Sequence, residues 1–146
     1  MTVKRNYKPV KINDKTTIEI GNAISTKMAL ELCKHYGVGH LVIRIEEDQG
    51  AFKAWIFDGA SMIPDGLFSK VVGIPNLTEI ALKHDLKYAY GAPGNKEEKL
   101  QADKEFELEL LKDGASPEIA ELMFKAVDIF GDGLMKTSFS WGFARK

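Results

Sequence analysis

The chain has 146 residues, 45 % of them hydrophobic and 28 % charged, with a net charge of −1. That size and apolar content suit one domain around one core. The balanced charge lacks the basic excess of a dedicated nucleic-acid binder, and no apolar run approaches the ~20 residues of a membrane span.

Residues 1–15 form a polar lead-in without periodicity. The opening "MTVKRNYKPVKIND" is basic but lacks the apolar stretch of a signal peptide, so cytoplasmic synthesis is expected. "TTIEI", 16–20, has the β-branched character of a short strand. In "STKMALELCKHYG", Ser25 can cap a helix, Met28, Leu32 and Tyr36 share a face, and Gly37 can close it. Cys33, the single cysteine, has helical apolar spacing and is expected in the core; no internal disulfide can form. "HLVIRIEE", 40–47, alternates Leu41, Ile43 and Ile45 against His40, Val42 and Arg44. "AFKAWIFD", 51–58, alternates Phe52, Ala54 and Ile56 against Lys53, Trp55 and Phe57. With "DQG" between them, the two runs predict an antiparallel hairpin.

Beyond Asp58, the glycines Gly59, Gly66 and Gly73 and the prolines Pro64 and Pro75 predict an irregular loop. Three helices follow. Asn76 can cap the first, with Glu79 at the capping-box position, and it runs to about Tyr90. The second spans about Lys96 to Asp113, closed by Gly114. Ser116 caps the third, Pro117 opens it and Gly131 ends it. The tail "TSFSWGFARK" has a period of two, with Phe139, Trp141 and Phe143 on one side, and predicts a final strand; a membrane-interface patch with Arg145 and Lys146 is the less favoured reading. The expected class is α+β: a small antiparallel sheet with a three-helix subdomain carrying an antiparallel helix pair. One domain covers 1–146, with a sheet-forming part at 16–60, a helical part at 61–133 and a strand or tail at 134–146.

One short stretch carries chemistry. In "ALKHDLKYAYG", Leu77, Ile80, Ala81, His84 and Tyr88 fall at spacings of three and four, so His84 lies in the apolar stripe. On the next helix Asp103 interrupts a row containing Leu100, Phe106 or Glu107, and Leu110. The short "GAPGN" break favours antiparallel packing, which brings His84 opposite Asp103. An imidazole oriented by a buried carboxylate suits general-base work on water; the same pair can instead pin two helices together. Tyr88, one turn beyond His84, can donate its hydroxyl to Asp103. Asp85 is turned about 100° from His84, toward the glycine-bearing loop. A carboxylate with backbone carbonyls is a donor set for Ca²⁺.

"HDLKY" followed by "ADKEF" resembles the HD-x-x-Y … D pattern of the phospholipase A2 superfamily, most of all its disulfide-free viral and bacterial forms. The likeness covers roughly residues 62–110. It implies that His84 activates the attacking water, Asp103 supports it and Asp85 binds Ca²⁺, with Tyr88 as the tyrosine of the motif. Carbonyls of "IPDGLFSK", at Pro64, Gly66 and Phe68, would complete the calcium site. The loop departs from the family's Y-x-G-x-G pattern: Gly66 matches, whereas Phe68 and Ser69 do not. Taken in order, "MIPDGLFSKVVGIP", "KHDLKYAYG", "QADKEFELELLKDG" and "AELMFKAVDIFG" are also similar to a small phage-associated domain family of uncharacterised function. The first resemblance implies a calcium-dependent phospholipase A2-like ester hydrolase with phospholipid or a membrane surface as its partner. The alternative is a non-enzymatic accessory protein of a phage or toxin system that keeps the scaffold. Either context allows a protein partner, and delivery by a phage particle or a secretion system.

Three further features carry less. A metal phosphohydrolase of the His-Asp type would need His35 or His40 beside the doublet, in an all-helical fold. Glu105, Glu107 and Glu109 alternate around a helix as a solvated face. Gly131, Asp132 and Gly133 read as a helix stop rather than a phosphate or metal loop.

Overall fold

A computed structural model describes residues 8–59, 65–71, 73–131 and 140–146. The architecture is α+β, with two small antiparallel two-stranded sheets and six α-helices among the described residues. β1 (Val10–Asn13) and β2 (Thr16–Ile18) form a hairpin with Val10 opposite Ile18. At its turn the Asn13 side-chain oxygen accepts the Lys15 N–H at 2.8 Å, the local bond that makes asparagine a turn residue. β1 lies inside the expected lead-in. Its alternation, buried Val10 and half-buried Ile12 between exposed Lys11 and Asn13, is too short to stand out from a basic run.

β3 (Ala23–Ile24) leads into α1 (Thr26–Tyr36), which begins as expected: Ser25 Oγ accepts the Met28 N–H at 3.1 Å. Gly37 closes α1 at φ 71°, and the Val38 N–H returns to the Cys33 carbonyl at 2.9 Å. That left-handed conformation is one a side chain at this position would resist. Cys33 is buried, and burial pushes its thiol up to about 12.

The expected hairpin of 40–47 with 51–58 is not formed. Residues Gly39–Glu47 are a helix, α2. Leu41 and Ile45 are one turn apart and both 0 % exposed, whereas Ile43 between them is 61 % exposed. The apolar run fits both periods, and packing against α1 selects the helical one. Of the second run only β4 (Trp55–Ile56) is strand, pairing antiparallel with β3 rather than with 40–47. Its faces also differ from expectation: Phe52, Trp55 and Phe57 are buried and Ile56 is exposed. The expected loop after Asp58 contains a helix, α3 (Asp65–Val71), which buries Phe68 and Val71.

α4 (Leu77–Ala89), α5 (Lys96–Lys112) and α6 (Pro117–Gly131) complete the order. Asn76 precedes α4 without a side-chain cap. It is taken up instead by Asp113 at the end of α5, through its N–H at 2.7 Å and its side-chain amide at 3.0 Å. Glu79 makes no capping box; it accepts the Tyr36 hydroxyl at 3.0 Å. α5 is capped by Asn95, and Ser116 caps α6.

α4 is the central element. Leu82, Leu86 and Ala89 pack into one core with α1, α2 and the strands, while Leu77, Ile80 and Ala81 pack into a second with α3, α5 and α6. Leu82 and Leu86 are fully buried, each worth roughly 1.5–3 kcal/mol of apolar burial. A helix buried on so many sides leaves its polar residues to be satisfied by protein.

The final strand is not formed within residues 140–146, and Phe139 lies outside the described residues. This stretch turns and makes one isolated bridge, Phe52 with Arg145. It docks on the end of α4: Gly142 N–H donates to the Tyr88 carbonyl at 2.7 Å, and Trp141 Nε1 donates to the Ala92 carbonyl at 2.7 Å. The stretch also meets residues 51–53, where Lys53 N–H donates to the Ala144 carbonyl at 2.8 Å and Lys146 N–H to the Ala51 carbonyl at 2.9 Å, a single bridge rather than a ladder. The Trp141 ring occupies the space a side chain at Gly91 would need. Gly91→Ala is therefore expected to lose about 1–3 kcal/mol, the usual cost of overpacking. Urea unfolding followed by tryptophan fluorescence measures it, and an unchanged midpoint would rule out the close stack.

Candidate active site: a buried histidine–aspartate network

α4 and α5 run antiparallel. Cross-helix bonds link Asn76 to Asp113, Lys83 to Glu109, Lys87 to Glu105 and His84 to Asp103. Asp103 is 0 % exposed. Its Oδ1 bonds His84 Nε2 at 2.9 Å and accepts the Tyr88 hydroxyl at 2.6 Å. Its Oδ2 accepts Lys99 Nζ at 3.0 Å. His84 and Tyr88 are one turn apart on α4, as Lys99 and Asp103 are on α5, so helical spacing aims all four side chains at one point. The Tyr88 hydroxyl also lies 3.2 Å from the Val127 carbonyl, and its single proton goes to the nearer, charged acceptor.

A carboxylate can only accept, so the hydrogen bond assigns the proton to Nε2 and the lone pair to Nδ1. Nδ1 has no hydrogen-bond partner among the described residues. The ring is held between Tyr88 and Phe106, with centroids 4.5 and 4.6 Å away. Burial lowers the His84 pKa below its ordinary 6.5; the bond to Asp103 and its charge act against this, and the charges of Lys87 and Lys99 add to it. The imidazole is thus neutral at pH 7, the state a base requires.

Asp85 is 5 % exposed, although helical geometry turns it away from His84. Burial pushes its pKa well above the ordinary 3.8, and the charge of Asp58 adds to the rise. Its Oδ2 is buried without a hydrogen-bond partner, an arrangement proteins rarely leave unexplained. Of the other residues expected around calcium, Pro64 lies outside the described residues. Gly66 and Phe68 lie in α3 rather than in an irregular loop; the Gly66 carbonyl accepts Ser69 Oγ at 3.1 Å. Among the described residues no three His, Cys, Asp or Glu side chains form a metal cluster. His35 and His40 are exposed on α1 and α2, so a metal centre of the phosphohydrolase kind is not assembled from these side chains. Glu105 and Glu109 pair with Lys87 and Lys83, so the acidic face of α5 partly serves cross-helix ion pairing. Beside them, two neighbouring cavities of about 250 and 260 Å³ share His40, Lys87 and Glu105.

Compared with protein-family models, with curated proteins and with solved structures, the chain shows no match. The site therefore stands on its geometry. Sequence reasoning missed Lys99, Asp128 and Asp58. Lys99 carried a signal, since it lies one turn before Asp103, but its burial depends on α6, whose docking no local pattern reveals.

Two pH effects of opposite sign follow. Because the folded pKa of His84 is depressed, stability is fully present above about pH 6.5 and falls as the pH drops below it. Because the folded pKa of Asp85 is raised, its stability is fully present below its ordinary 3.8 and is lost as the pH climbs through the raised value. Asp85→Asn should flatten the alkaline side of the profile and melt higher than wild type at pH 8 without added cation. Calorimetric melts between pH 5 and 8 check this; a variant that melts lower at pH 8 would mean the acid is not strained by burial.

Proposed function

We propose that the chain is an ester hydrolase of the phospholipase A2 kind, acting on phospholipid, with His84 as general base and Asp103 as its orienting carboxylate. The observation that supports this most is the imidazole bonded through Nε2 to a fully buried carboxylate, with Nδ1 left without a partner among the described residues. In this reading Nδ1 takes a proton from water as the water oxygen bonds to the ester carbonyl carbon. The tetrahedral adduct then expels the alkoxide, and the imidazolium returns the proton to it, giving a free fatty acid and an alcohol. Asp103 fixes the tautomer and balances the transient imidazolium, while the Tyr88 hydroxyl holds Asp103.

Calcium is proposed at Asp85, whose buried, unpartnered Oδ2 suits a cation that would neutralise it. The resemblance suggests carbonyl donors at Pro64, Gly66 and Phe68, but Gly66 and Phe68 lie in α3, where the Gly66 carbonyl already accepts Ser69 Oγ, so Asp85 carries this part of the reading. Bound there, Ca²⁺ would supply electrostatic stabilisation for negative charge on the carbonyl oxygen. The second reading, an accessory protein of a phage or toxin system, draws on the depth of His84 at 4 % exposure; in it the network serves only to lock α4 on α5.

His84→Gln separates the two. The amide keeps one hydrogen bond to Asp103 but takes no proton at neutral pH. The variant should melt close to wild type and release fatty acid from mixed phospholipid vesicles about 10²–10⁴-fold more slowly. Millimolar Ca²⁺ should raise the wild-type melting temperature, and that of Asp85→Asn much less. Wild type releasing no fatty acid from any vesicle composition would leave the accessory reading.

A further inference from the structure

We propose that Lys99 is a positioning residue for the His84–Asp103 pair, and that Asp128 on α6 holds it in place. Its ammonium has three N–H donors, and all three are taken: by Asp103 Oδ2 at 3.0 Å, Asp128 Oδ1 at 2.9 Å and the Asp128 carbonyl at 3.1 Å. Lys99 is 6 % exposed. A buried lysine with every proton committed is fixed in direction, which the long side chain never is in water. It sits on the oxygen of Asp103 that His84 does not use. That leaves Oδ1 aimed at the imidazole and answers the charge of Asp103 with a permanent cation. Without Lys99 the carboxylate could rotate, or turn both oxygens toward the α4 donors.

The arrangement also makes α6 part of the site. The carbonyls of Val127 and Asp128, adjacent on that helix, lie within hydrogen-bond reach of Tyr88 and Lys99 respectively. One turn of α6 thus faces donors from both α4 and α5. The same ammonium bridges a half-exposed acid, Asp128 at 51 %, and the fully buried Asp103.

The catalytic part of this proposal rests on the hydrolase reading; the positioning itself does not. The test is the His84 Nε2–H proton, read by NMR in uniformly ¹⁵N-labelled protein. In wild type it should appear as a slowly exchanging, strongly downfield imidazole resonance. Lys99→Met should shift it or lose it to exchange, and Asp128→Asn should do the same more weakly. Leu100→Ala, on the exposed side of α5, should leave it in place. Where wild type hydrolyses phospholipid, Lys99→Met should lower kcat roughly ten- to hundredfold with KM unchanged, as outer partners of working side chains do. If Lys99→Met does not fold, Asp128→Asn decides alone. A resonance absent from wild type, or unmoved in the folded variants, overturns the proposal. A resonance that moves as expected in a protein releasing no fatty acid supports the positioning and sinks the hydrolase reading.

Discussion

The rest of the molecule is arranged around one carboxylate with no access to water. Asp103 is fully buried, and an isolated charge in that position would cost several kcal/mol. It is tolerated because its oxygens meet an imidazole, a phenol and an ammonium. Those donors come from α4 and α5, and Val127 and Asp128 of α6 lie behind them. The three helices cannot slide or rotate independently without leaving some member of the group unsatisfied. The network thus fixes register where apolar packing alone would tolerate alternatives.

α4 bears the consequence. It lies between two apolar clusters, so most of its faces are covered by protein. The stretch 140–146 closes one end, with the Trp141 ring edge-on to Tyr88 at 5.1 Å, against the tyrosine that holds Asp103. At the other end of the helix pair, Asp113 of α5 takes the N–H of Asn76. Arg44 of α2 forks onto Glu98 at 2.7 and 2.9 Å and also reaches the Tyr90 carbonyl, tying the first half of the chain to the turn between α4 and α5. Within this frame Asp85 is a buried acid whose Oδ2 has no hydrogen-bond partner among the described residues, as is also true of Arg145 Nε.

The helical half was legible because its signals are local. His84 and Tyr88 four apart, Asp103 in an apolar row and a short break between helices suffice to place those side chains opposite one another. The N-terminal half was not, because Leu41, Ile43 and Ile45 satisfy a period of two and a helical period at once. Only the burial of Leu41 and Ile45 and the exposure of Ile43 separate them. α3 was hidden by the glycines and prolines around it. Lys99 went unread. Its role depends on Asp128, twenty-nine residues away, which no spacing within α5 can announce.

The interaction between His84 and Asp103 can be measured directly by a double-mutant cycle in urea, using His84→Ala, Asp103→Ala and the pair, which remove both bonding groups. Groups that share a buried hydrogen bond show coupling of about 0.5–3 kcal/mol. The account predicts a coupling in the upper half of that range, with the double variant less destabilised than the sum of the singles. Additive losses would mean that the histidine and the aspartate do not act on each other, and the site would have no base.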